Sequence, residues 1–362
     1  MNRLLILAPN WLGDAVMALP AIADVRRAAP DVSIAVAARP SIAPLFGMVG
    51  DVNDVIMLEA RPRTYDVAGW RKLGAELRDR RFEAALLLPN SFHAALMAAR
   101  GRIPERWGYR AQWRGPLLTR GVDPAPSGMH RVDYYQRLVQ AVGFPNGPAA
   151  PRLDLSPDLR DAGARALSDV GWDRRIPLVA LAPGAAYGGA KQWPAASFAE
   201  LAQALASDGV AVVVVGGSTD QTAGRQIMAG LAAGVSVFNL IGRTDLPGLT
   251  GVLANCRALV GNDSGATFLG AALGVSVTAL FGPTHERVSA PRGESHLEAD
   301  GAPDIADEGR GVRLQPDRGP AHAVLTHPVW CRPCWLRECP LDHRCMRGIG
   351  VDAVLAAVRR AL

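Results

Sequence analysis

The run 4-LLILAPNWLGDAVMALPAIADVRRAAPDVSIAVA-37 holds, in order, an apolar strand, a short polar loop, a helix-periodic stretch and a second apolar strand. LLILA and SIAVA are continuous rather than alternating, as strands covered on both faces need to be. With the helical spacing over 14–29 between them they make one βαβ unit, the building block of a parallel sheet. The same opening recurs at 178–215, where 178-LVALA-182 and 210-VAVVVV-215 flank a glycine-bearing loop and a helical stretch over 195–207. The architecture repeats although the sequences do not.

Outward from these two units the alternation continues. The first half adds runs 54-DVIML-58 and 84-AALLL-88, with helical patterns at 69–80, 92–100 and 130–142. The second adds 235-VSVFNL-240, 258-ALV-260 and 276-SVTALF-281, with helical patterns near 219–233, 246–255 and 265–273. Between the halves, 144-FPNGPAAPRLDLSPD-158 is proline-rich, as a connection between domains would be. The predicted class is α/β, with two Rossmann-like domains over 1–155 and 156–346 whose parallel sheets face across a cleft. A terminal helix follows within 347–362. Open sheets of this kind bind ligands at the carboxyl ends of their strands, so the site is expected in the cleft. Residues 294–318 are expected to be a mobile insertion, because 294–310 is acidic and poor in apolar side chains.

The 362 residues are 49% hydrophobic and 20% charged, which excludes a largely disordered chain. The longest apolar runs are strand-sized, far below the ~18 residues of a membrane-spanning helix. The N-terminus resembles a signal peptide only until Asn10 and Asp14 interrupt it, so the protein is expected in the cytoplasm. The net charge of +5 is uneven: residues 1–155 carry 20 basic and 14 acidic side chains, and the rest are nearly balanced. A basic face of this kind suits a phosphorylated substrate or an anionic membrane surface, and equally a solvated surface.

Three loops carry candidate chemistry. In 9-PNWLGDAVMALPA-21, Asn10 and Asp14 stand between the first strand and helix, where Asp14 is either a carboxylate aimed at a ligand or an acidic helix start. The loop lacks G-x-G-x-x-G spacing and gives no support for dinucleotide binding. In 182-APGAAYGGAKQWPAASF-198, small residues allow close approach to a phosphate. Lys191 there is one of two lysines against 37 arginines, which marks it as a point charge for a diphosphate. In 259-LVGNDSGATFLGAALG-274, Asn262, Asp263, Ser264 and Gly265 sit at a helix start, offering amides to an anion and a carboxylate to sugar hydroxyls; a plain helix cap reads the pattern as well.

These segments, with 216-GGSTD-220, 281-FGPT-284 and 331-CRPCWLRECPLDHRCM-346, together resemble the lipopolysaccharide heptosyltransferase family, glycosyltransferase family 9, over nearly the whole chain. The resemblance implies a GT-B fold and inverting transfer of heptose from ADP-L-glycero-β-D-manno-heptose to a heptose on phosphorylated Kdo-lipid A at the anionic inner face of the inner membrane, with no nucleic acid partner. It implies Asp14 as catalytic base. It assigns donor binding to Lys191, Asn262, Asp263, Ser264 and Gly265, with Gly184 and Tyr187 in the same loop. Acceptor binding is expected from Asn10, Arg61, Arg63, Arg110, Arg114 and Arg120. Relatives carry a histidine where this chain has Phe268, so that contact is absent or replaced. No cofactor is expected for catalysis, since the acids of 298–308 make no convincing D-x-D motif. Another nucleotide-sugar transferase or epimerase of the same fold, and a noncatalytic nucleotide-sugar-binding protein, remain open.

Cys331, Cys334, Cys339 and Cys345 are spaced C-x2-C-x4-C-x5-C. One structural zinc fits the spacing as well as reduced thiols in a folded turn do, and a disulfide or iron–sulfur cluster is the remaining reading. Cys256 is expected in the core.

Overall fold

The computed structural model describes residues 1–58, 67–292, 312–314 and 322–362. The chain divides into two compact units, Met1–Ala149 and Ala150–Leu362.

In the first unit β1 (Arg3–Leu7), β2 (Ser33–Ala38), β3 (Asp54–Met57), β4 (Ala84–Leu87), β5 (Glu105–Tyr109) and β6 (Arg120–Val122) pair in parallel in the order β3-β2-β1-β4-β5-β6. Leu4, Leu5 and Ile6 of the central strand are fully buried, as covering helices on both faces require. In the second unit β7 (Leu178–Ala182), β8 (Ala211–Val214), β9 (Val237–Asn239), β10 (Ala258–Asn262), β11 (Ser276–Phe281), β12 (Val312–Leu314) and β13 (Ala323–Thr326) form the order β12-β13-β11-β10-β7-β8-β9. All pairings are parallel except β12 with β13. Reading outward from β7, the six parallel strands repeat the 3-2-1-4-5-6 order of the first sheet, the doubly wound arrangement.

The sequence reading does not name β5, β6, β12 or β13, although AVLT of β13 is apolar and largely buried. ERWGY of β5 and RGV of β6 lie toward one edge of their sheet; β5 buries Trp107 and Tyr109 but opens with Glu105 and Arg106, whose side chains interrupt any apolar run. The proline-rich connection ends in a helix the pattern concealed, Pro157–Asp169. Pro157 occupies its first position, where proline favours helix, and the Ser156 hydroxyl accepts from Leu159 N. This helix crosses Leu246–Leu253 so closely that a Cβ at Gly163 would collide with the backbone of Gly251. The terminal helix, Val351–Arg359, packs on the helix Ala195–Ser207, Val354 and Val358 sharing one buried core with Leu201 and Leu205, and Arg359 pairs with Asp208 at 2.8 Å. The predicted insertion 294–318 lies outside the described residues apart from Val312–Leu314.

Candidate active site

In the second unit the carboxyl ends of β7, β8, β10 and β11 gather four loops. The loop after β7 carries Lys191, whose ammonium donates to Asp263 Oδ2 at 2.5 Å. Asp263, just past β10, also accepts from Thr284 Oγ1 at 2.7 Å in the loop after β11. The pair is largely removed from water, Lys191 keeping 12% and Asp263 5% of side-chain exposure. Next to it the helix Gly265–Ala272 begins at Ser264, which has extended backbone and makes no side-chain cap. The first-turn amides of that helix therefore remain as donors. A cation and a helix start at one sheet edge make an anion site.

One expected donor contact is corrected by burial. Asn262 is fully buried: its Oδ1 accepts from Trp193 N at 3.0 Å and its Nδ2 donates to Pro183 O at 2.7 Å. It ties both ends of the Lys191 loop to β10 and has no surface to offer a sugar. Phe268 is likewise buried. Gly184 serves close approach, since a Cβ there would collide with the Asp220 carboxylate. Asp220, which the sequence reading did not single out, accepts from Gly217 N at 2.9 Å, and burial raises its pKa above the ordinary carboxylate value. Tyr187 donates its hydroxyl to Trp335 O at 2.6 Å, with Lys191 Nζ 4.7 Å from its ring centroid.

The cysteine-rich segment is built into these loops. Cys334 N and Trp335 N both donate to Pro283 O, at 3.0 and 2.9 Å, and Ala190 N donates to Arg337 O at 2.9 Å. Arg332 Nε donates to Gly282 O at 2.6 Å and its guanidinium pairs with Glu286 at 2.7 Å. All five cysteines are free thiols. Cys331, Cys334, Cys339 and Cys345 line one small pocket with Ala190 and Pro283. Among the described residues no three His, Cys, Asp or Glu side chains are grouped to hold a metal ion. Burial and then the neighbouring thiols raise the Cys345 pKa.

In the first unit, a cavity of about 430 Å³ opens at the carboxyl ends of β1, β2 and β4, lined by Leu7, Asn10, Arg39, Ser41, Leu58 and Met97 among others. Asp14 lies in the first turn of the helix Leu12–Met17 and is partly exposed, with Arg131 Nε 3.7 Å from its Oδ1. Arg131 also lies over the Tyr134 ring, 5.6 Å from its centroid. Tyr134 accepts from Asn90 Nδ2 at 2.6 Å, and burial raises its pKa. Arg114, expected to bind the acceptor, is instead fully buried, with no surface to offer it. It donates to Tyr109 O at 2.8 Å, to Pro89 O and to Asn90 Oδ1 at 3.3 Å, and desolvation lowers its pKa to about 10. It positions Asn90 and through it Tyr134. Arg110 pairs with Asp123 at 2.7 Å on the surface; Arg120 donates to Val142 O at 2.8 Å and lies over Trp107. Arg61 and Arg63 lie outside the described residues. Arg39, Arg131 and Tyr134 escaped the sequence reading because nothing near Asp14 in the chain marks them.

A family model described as glycosyltransferase family 9 (heptosyltransferase) matches residues 70–298. Lipopolysaccharide heptosyltransferase 2 of Salmonella typhimurium is 33% identical over 301 residues, covering 80% of this chain and 85% of that protein. The Escherichia coli protein of the same name is 32% identical over 80% of this chain and 85% of its own length. The solved structure of E. coli ADP-heptose lps heptosyltransferase II superposes with a TM-score of 0.80 at 26% identity, covering 100% of this chain and 98% of that one.

Proposed function

Because the chain belongs to glycosyltransferase family 9, and is thereby a GT-B glycosyltransferase and a heptosyltransferase of the lipopolysaccharide core, we propose that its donor is ADP-L-glycero-β-D-manno-heptose. The heptose passes to a heptose of the phosphorylated inner core on Kdo-lipid A, in one inverting displacement without a metal. The observation that carries the donor reading is the buried Lys191–Asp263 pair beside the uncapped start of Gly265–Ala272. In this reading Lys191 and the amides of Gly265 and its neighbours meet the diphosphate, with Ser264, Tyr187 and Gly184 shaping the approach.

Asp14 takes the proton of the acceptor hydroxyl as its oxygen bonds to the anomeric carbon from the face opposite the diphosphate. The bond from that carbon to the phosphate oxygen breaks, and ADP leaves with the electron pair. One displacement inverts the configuration. The charge that gathers on ADP is stabilised by Lys191 and fixed amide dipoles, which asks nothing of a metal ion. Arg131 supplies Asp14 with a cationic neighbour.

The acceptor reading places a sugar against Asn10 in the first-unit cavity, and core phosphates against Arg61, Arg63, Arg110 and Arg120. The excess of basic side chains over 1–155 suits an enzyme working at the anionic cytoplasmic face of the inner membrane. Among the described residues no helix is long and apolar enough to cross a membrane.

Incubation with ADP-heptose, a one-heptose core acceptor and excess chelator is expected to yield a product one heptose heavier by mass spectrometry. Consumption of a different nucleotide sugar, with ADP-heptose left intact, overturns the donor assignment; loss of activity on chelation overturns the metal-free mechanism.

A further inference from the structure

We propose that Arg337, carried by the cysteine-rich segment, is a second cationic contact for the diphosphate of the donor; this rests on the donor-site reading above. The Arg337 guanidinium carbon stands 5.3 Å from the centroid of the Tyr187 ring, the same ring whose centroid is 4.7 Å from Lys191 Nζ. Two cations thus converge on one aromatic side chain. Their treatment differs. Lys191 has the Asp263 carboxylate as counter-ion. Arg337 is exposed, and among the described residues it makes no ion pair and its guanidinium donates no hydrogen bond. Its neighbour Glu338 is directed elsewhere, accepting from Gly189 N at 3.3 Å.

The backbone around Arg337 is fixed where its side chain is not. Its carbonyl accepts from Ala190 N at 2.9 Å, next to Lys191, and Gly188 at φ +157° packs so tightly on it that a Cβ would collide with that carbonyl. The Tyr187–Trp335 bond of 2.6 Å holds the same two segments together from the other side of the loop. A planar guanidinium with all five donors available, anchored through its own main chain to the loop that carries Lys191, is suited to bidentate capture of phosphate oxygens. The contacts run without a break from Arg337 through Tyr187 and Lys191 to Asp263 and the helix start, so the diphosphate would lie along that line.

The test is titration calorimetry of ADP, AMP and adenosine with the wild-type chain, Arg337→Ala and Arg337→Lys. Arg337→Ala is expected to weaken ADP by tenfold or more and adenosine not at all, with Arg337→Lys between. The thermal midpoint should be unchanged, because the carbonyl bond to Ala190 survives the substitution. In turnover assays the donor KM rises while the acceptor KM holds. Wild-type protein that binds ADP while Arg337→Ala binds it equally well overturns the inference alone. Equal weakening of ADP, AMP and adenosine also overturns it, since that is the mark of a disturbed loop. A wild-type chain that does not bind ADP removes the donor-site reading and the inference together.

Discussion

Removing Lys191 should damage stability and donor binding separately, and the two effects can be told apart. At 2.5 Å and an effective dielectric of about 20, the Lys191–Asp263 attraction is on the order of 7 kcal/mol before desolvation, which offsets most of it. The net worth of the pair is therefore small, but breaking it is not. In Lys191→Met, Asp263 keeps only the Thr284 hydroxyl, and an uncompensated buried charge costs about 3–5 kcal/mol. For a unit the size of 150–362 that corresponds to a fall of roughly 6–20 °C in the unfolding midpoint. Asp263→Asn should lose a similar amount by stranding the ammonium. The double variant Lys191→Met with Asp263→Asn removes both charges and is expected to recover at least about 2 kcal/mol relative to the sum of the singles. Donor affinity should follow a different order: Lys191→Met and the double variant both bind ADP tenfold to hundredfold more weakly, whereas Asp263→Asn retains binding because the cation remains. Urea denaturation and titration calorimetry on the four proteins give the full cycle. Additive stability losses would refute the buried-pair account, and a double variant that binds ADP like the wild type would refute the phosphate role of Lys191.

Asp14→Asn is expected to lower turnover by about 10²–10⁴-fold while leaving ADP affinity intact, and retained turnover would remove Asp14 as the base. Arg114→Met should destabilise by about 2–5 kcal/mol in urea denaturation, because the carbonyls of Pro89 and Tyr109 lose their buried donor. His322 is buried, accepts from Val277 N at 3.3 Å, and desolvation lowers its pKa to about 4. Its folded pKa thus lies below the unfolded value, so stability is fully present above about pH 6.5 and falls as the pH drops toward 4, by up to about 3 kcal/mol for this group. His322→Gln should flatten that part of the stability profile, and an unchanged slope would contradict the assignment. Burial raises the pKa of the Cys256 thiol, which should resist alkylation in the native protein while Cys331, Cys334 and Cys339 react, as peptide mass mapping will show.

What the chain discloses locally and what it conceals follow a physical division. Apolar continuity in LLILA or VAVVVV is a property of neighbours in sequence, so β1 to β4 and β7 to β11 could be read directly. β5 opens with the polar Glu105 and Arg106, and Arg106 N donates to Thr119 Oγ1 at 2.7 Å, 13 residues on, a partnership that no local periodicity records. The site divides in the same way. The scarcity of lysine singled out Lys191, but composition does not say that its counter-ion is Asp263, 72 residues on. Nor does it distinguish Asn262, which holds the loop, from Asp263, which faces the lysine, although they are adjacent in one motif. Arg114 was misread for a related reason. An arginine in a polar stretch suggests a solvated cation, yet here the ends of β4 and β5 present Pro89 O, Asn90 Oδ1 and Tyr109 O to it in one buried place. The cysteine-rich segment shows the point most fully. Its spacing left a structural zinc and reduced thiols equally open, while its main-chain bonds to Ala190 and Pro283 make it a brace between the loops after β7 and β11. Backbone partnership of that kind leaves no mark on side-chain spacing, and a brace so placed transmits any change in the segment to the loop that holds Lys191.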